Sequence, residues 1–144
     1  MTSRLDARLN RELQQSSGLS LADYDVLVLL TEAVDGRLRV FEIAEDLHWE
    51  QSRLSHHLAR MQRRGLVSRE ECTTDRRGAF VALTGAGREA IEKAAPGHVD
   101  LVRRLVFDGL SEEQVAMLES FVSRVLSRLA ETEGELPGSG AAVG

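Results

Sequence analysis

Between Val40 and Leu83 the spacing of apolar residues changes period, and that change limits what the chain can fold into. Val40, Ile43, Ala44 and Leu47 recur at helical steps; after His48-Trp49-Glu50, so do Leu54, Leu58 and Met61. Apolar residues three and four apart share one face of a helix. Two short amphipathic helices joined by a tight turn are therefore expected, the second from about Gln51 to Arg64 with Gly65 as its stop. Leu66 to Glu71 then reads as a strand, Cys72 to Gly78 as a polar turn, and Ala79 to Leu83 as the returning strand, with β-branched and aromatic content. The order is helix, turn, helix, hairpin.

The flanking segments are helical. Leu5, Leu9 and Leu13 form one stripe that Ser16-Ser17-Gly18 breaks. Ser20 with Asp23 has capping-box spacing, and a helix from Leu21 to about Val34 follows, ended by Asp35-Gly36. Thr84 caps a long helix reaching Leu105, with a bend expected at Pro96 and an end at Gly109. Ser111 and Gln114 form a second capping box before a stripe of Val115, Leu118, Val122, Val125 and Leu129. The expected fold class is mostly α with a small β-hairpin: a winged helix-turn-helix at about 38–84, with outer helices at about 3–17, 85–108 and 111–132. Residues 1–136 then form one domain, and the Pro-, Gly- and Ser-rich 137–144 a flexible tail.

Charge distribution bears on what such a unit binds. The 144-residue chain carries a net charge of −5, yet from Gln51 to Phe80 seven arginines face three acids. A basic centre on an acidic chain suits local binding of an anion. If Leu54, Leu58 and Met61 face inward, then Ser52, Ser55, His56, Ala59, Arg60 and Arg63 point outward. Arginine there can read guanine bidentately. Serines near a helix start can donate to phosphate, helped by the helix dipole. The hairpin tip adds Arg76 and Arg77 on a protrusion suited to the narrow minor groove, with Asp75 orienting an arginine. The plainer reading is a solvated helix face and a solvated turn. The combination of helix and wing favours DNA.

Other chemistries find little support. There is no phosphate-binding glycine loop, zinc-protease helix or nucleophile elbow, so an enzyme is not expected, and no cofactor is implied. Cys72 is the sole cysteine; it reads as a passive small residue, with a redox role as the sharper alternative. His56 and His57 are adjacent and point apart on a helix, so no metal is expected. No apolar run suits a membrane, and a soluble cytoplasmic protein is the default expectation.

The run from Leu54 through Ser55-His56-His57-Leu58-Ala59-Arg60-Met61-Gln62-Arg63-Arg64-Gly65 to Leu66-Val67 resembles the recognition helix and first wing strand of the MarR family of bacterial regulators. Asp75-Arg76-Arg77-Gly78 followed by Val81-Ala82-Leu83-Thr84 is similar to its wing, and the resemblance spans about Leu5 to Leu129. It implies double-stranded DNA as partner, with Ser52, Ser55, His56 and Arg60 facing the major groove and Arg77 the minor groove; Gln51 and Arg63 complete the expected contact set. His56 stands where that family often carries arginine or another long polar residue. The outer stripes could extend one monomer's core or pair with a second copy. Pairing is the reading adopted, as the resemblance also implies, through Leu5, Leu9, Leu13, Val115, Leu118, Val122, Val125 and Leu129. The expected function is a homodimeric repressor on a near-palindromic operator, answering a small-molecule or stress signal. A winged-helix protein-interaction module that never touches DNA is the alternative.

Overall fold

The computed structural model describes residues 2–71 and 78–134. In chain order it contains α1 (Thr2–Ser17), α2 (Leu21–Glu32), β1 (Arg37–Arg39), α3 (Val40–Leu47), α4 (Gln51–Arg63), β2 (Val67–Glu70), β3 (Phe80–Leu83), α5 (Gly85–Val102) and α6 (Glu112–Gly134). A π-helical stretch, Arg103–Phe107, follows α5. The described residues fall into two compact units, one ending at Val102 and the other starting at Arg103.

Local capping chemistry sets the helix starts. The Asp23 amide donates to Ser20 Oγ at 3.0 Å, and the Ser20 amide donates back to Asp23 Oδ2 at 2.9 Å. Ser111 and Gln114 repeat the reciprocal pair at 3.2 and 2.8 Å. Each such cap satisfies backbone donors that the first helical turn leaves without partners. At the end of α4, Gly65 takes φ = 75°, a left-handed conformation that side-chain-bearing residues rarely adopt. It turns the chain directly into β2.

The first unit has one core. Leu13 of α1, Val26, Leu27 and Leu30 of α2, Ile43 of α3, Leu54 and Met61 of α4, and Val81 of β3 are all fully buried. α1 packs on α2 and α5, and α3 packs on α4. The sheet is antiparallel in the order β1-β3-β2, with Leu38 opposite Val81 and Val67 opposite Leu83. The sequence reading contained the hairpin but not β1. Three residues are too few for alternation to stand out, and β1 is defined by its pairing with distant Phe80–Ala82.

α5 begins where β3 ends, beside the start of β2, and Thr84 joins them. Its Oγ1 lies 2.6 Å from the Gly65 carbonyl and 2.9 Å from that of Leu66, and accepts the Gly87 amide at 2.9 Å. Gly87 faces Leu66 so closely that a Cβ would collide with the Leu66 carbonyl oxygen. α5 continues through Pro96 to Val102, and the departure from α geometry comes later, in Arg103–Phe107.

In the second unit, α6 carries its apolar side chains outward. Met117 is 72% exposed and Phe121 60%, and Leu118, Val122, Val125, Leu126 and Leu129 are exposed as well. No helix among the described residues is long and apolar enough to cross a membrane.

Candidate nucleic-acid interface

The inward stripe of α4 is placed as its spacing requires: Leu54, Leu58 and Met61 are buried. Helical geometry then fixes the opposite face. Gln51, Ser52, His56, Arg60 and Arg63 are exposed and Ser55 is half-buried. Six of the expected contact residues therefore share one helix and are available to a ligand. Arg76, Arg77 and Asp75, with Cys72, lie outside the described residues, in the chain between β2 and β3.

The turn before α4 is built by two residues. His48 closes α3 in the left-handed region at φ = 54°, its amide bonded back to Ala44 and Glu45. Trp49 packs on the core, sets its ring edge-on to His57 at 5.5 Å, and supports the Arg53 guanidinium 4.3 Å above its face. Such a contact holds a cation over the negative face of the ring. Arg53 is thereby a shaped, exposed cation at the start of α4 that the sequence reading did not single out.

Two further arginines flank the wing. Arg37 and Arg39 both stack on Phe80, at 4.7 and 4.3 Å, and Arg37 also pairs with Glu70 at 3.2 Å. Arg37 and Arg39 share one side of a strand of three residues, too short for its alternation to have marked them in sequence.

Beneath the exposed face lies a buried acid. Asp23 is 2% exposed. Its Oδ2 accepts the Ser20 amide and, at 2.6 Å, Arg64 Nη1, while Oδ1 lies 2.9 Å from His57 Nε2. The second arm of Arg64 donates to the Gly18 carbonyl at 2.8 Å. Burial alone would push the Asp23 carboxyl up. The donors from His57, Arg64 and the Ser20 amide, with the Arg64 charge, outweigh it and hold the group well below the usual carboxylate range. The start of α2 is thus tied by charge as well as by packing to the middle of α4 and to its C-terminal end.

The expected pairing residues separate. Leu9 and Leu13 are buried in the chain's own core and Leu5 is half-buried. α1 lies against α2 and α5, which cover its stripe, so Leu9 and Leu13 have no surface to offer a second subunit. Leu118, Val122, Val125 and Leu129 remain exposed, and Val115 is half-buried.

A helix-turn-helix followed by a hairpin, with a third strand completing a small sheet, defines a winged helix-turn-helix protein. The model of the MarR family matches residues 17–78. The HTH-type transcriptional repressor YetL of Bacillus subtilis (strain 168) is 30% identical over 113 residues, which cover 78% of this chain and 67% of that one. Two solved MarR family regulators from Streptomyces coelicolor share the fold with TM-scores of 0.81. Sco3205, determined in complex with DNA, is 41% identical over 89% of this chain and 83% of that chain. AbsC is 37% identical over 90% of this chain and 87% of that one. The chain belongs to the MarR family of transcription regulators.

Proposed function

We propose that this regulator binds duplex DNA as a homodimer, laying the exposed face of α4 in the major groove and the arginine-bearing wing tip along the adjacent minor groove. The observation that carries the reading is the α4 face itself: Gln51, Ser52, His56, Arg60 and Arg63 point outward from a helix whose other side is anchored in the core. Polar side chains on a rigid helix can reach base edges, and arginine matches the O6 and N7 acceptors of guanine. Arg53 on Trp49 adds a cation for phosphate. The structure of Sco3205 in complex with DNA supports the same partner here.

Pairing is supported by α6. Seven large apolar side chains, from Met117 to Leu129, stand exposed on one chain. Monomeric soluble proteins rarely leave so continuous an apolar surface wet. A second copy covers it in this reading, through Leu118, Val122, Val125 and Leu129 with Val115 at the margin. Twofold symmetry then sets two α4 helices about one DNA turn, roughly 34 Å, apart. Occupying a promoter site in this way blocks transcription, and a small-molecule or stress signal releases it by binding better to a second spacing of the two helices.

Selection from random duplex DNA tests the reading. A near-palindromic site should be enriched, and Arg77→Ala should weaken binding to it by roughly 1–3 kcal/mol. A chain that enriches no site, while its α4 arginines tolerate charge reversal, is an interaction module instead.

A further inference from the structure

Arg60 is one of the exposed α4 arginines, and it touches a buried partner. Its Nη2 lies 3.1 Å from His57 Nδ1. A guanidinium has only donors, so Nδ1 must accept. An imidazole that accepts at Nδ1 is neutral and carries its proton on Nε2. The Nε2 side faces Asp23 Oδ1 at 2.9 Å and meets no well-aligned hydrogen-bond partner among the described residues. The contact is close rather than well aligned, so charge–dipole attraction carries it. Asp23 is in turn fixed by the Ser20 amide and by Arg64. The edge-on Trp49 ring limits how His57 can rotate. The order is buried carboxylate, oriented imidazole, exposed guanidinium.

We propose that His57 is a positioning residue for base reading: Asp23 sets its tautomer, and its Nδ1 holds the Arg60 guanidinium in one orientation, so that the selectivity of Arg60 for its base pair depends on His57. The proposal rests on the DNA-binding reading above. A long arginine side chain left to itself samples many rotamers and must lose that freedom on binding. One N–H directed at His57 removes part of the search and leaves the other N–H groups for the acceptor pair of a guanine. His57 touches no DNA in this arrangement; it acts through Arg60.

The test compares the wild-type chain with His57→Phe, His57→Gln, Arg60→Ala and the His57→Phe/Arg60→Ala pair. Each is titrated against the selected duplex and against duplexes altered at single base pairs. Arg60→Ala identifies the base pair at which discrimination is lost. His57→Phe should flatten discrimination at that same pair, about tenfold or more, and leave the other positions ordered as before. The double variant should discriminate there no worse than Arg60→Ala alone. Gln offers an acceptor toward Arg60 and a donor toward Asp23, so His57→Gln should recover most of the lost selectivity. His57→Phe that weakens every duplex equally, or keeps full discrimination, overturns the proposal. Nitrogen-15 spectra of wild-type His57 provide a check that needs no variant: protonation on Nε2 alone is expected, and a proton on Nδ1 contradicts it. If the wild-type chain selects no duplex, the DNA reading fails and the proposal with it. If it selects one and His57→Phe keeps the profile, only the proposal fails.

Discussion

At the scale of single residues, two buried ionisable groups make the fold sensitive to acid in different windows. His98 is buried and stacks on Tyr24 with ring centres 4.3 Å apart. Burial pushes its pKa below 6.5, against a smaller opposing pull from Glu12. The folded chain therefore takes up a proton at His98 less readily than the unfolded chain does. Stability is full above pH 6.5 and declines as the pH falls through and below that value. Asp23 is also shifted downward, but there the charged form is the one held: its contribution is present above the ordinary carboxylate value of 3.8 and is lost only as the pH falls below it. Urea denaturation at pH 7.5 and 5.5 separates the two. Wild type should lose stability between these points, and His98→Gln should lose distinctly less. Equal losses would mean that His98 is not held neutral. Neither residue was legible in sequence as a buried ionisable group. Asp23 was read as a cap, which it is, but its bond to Arg64 joins positions 41 apart. Nothing local signals such a partner.

At the scale of elements, the helices were legible because their signals are local. Capping boxes at Ser20 and Ser111 and the left-handed Gly65 each act within a few residues of the boundary they set. The α4 stripe was legible for the same reason, and its outward face followed from geometry alone. β1 was not, because a three-residue strand exists only through its partner. The seam between the sheet and α5 was also hidden. Gly87 packs against Leu66, a role that no local pattern announces. Gly87→Ala should force α5 away from β2 and cost roughly 1–3 kcal/mol or more, since the obstacle is backbone. Thermal or urea denaturation measures it; an unchanged midpoint would mean that the approach of α5 to β2 is looser than described.

At the scale of the whole molecule, an amphipathic stripe says that a face is covered but not by which chain. That is why Leu9 and Leu13, expected to pair, lie in the chain's own core while Leu118, Val122, Val125 and Leu129 stay exposed. If a second copy covers α6, light scattering should give twice the 15.9 kDa of one chain. Leu118→Asp with Val122→Asp should shift the chain toward monomer, because an unpaired charge is costly to bury. A wild-type monomer at micromolar concentration would contradict the pairing.

The most direct test of the regulator reading is a titration of the selected duplex with wild type and with Arg60→Glu/Arg63→Glu over a range of salt. Two chains should bind per duplex, and wild-type affinity should fall steeply as salt rises, because each neutralised phosphate releases counterions. The variant should bind at least about thirtyfold more weakly, at roughly 1–3 kcal/mol for each base-reading arginine. Equal binding by both proteins, or affinity indifferent to salt, would contradict the placement of α4 against DNA.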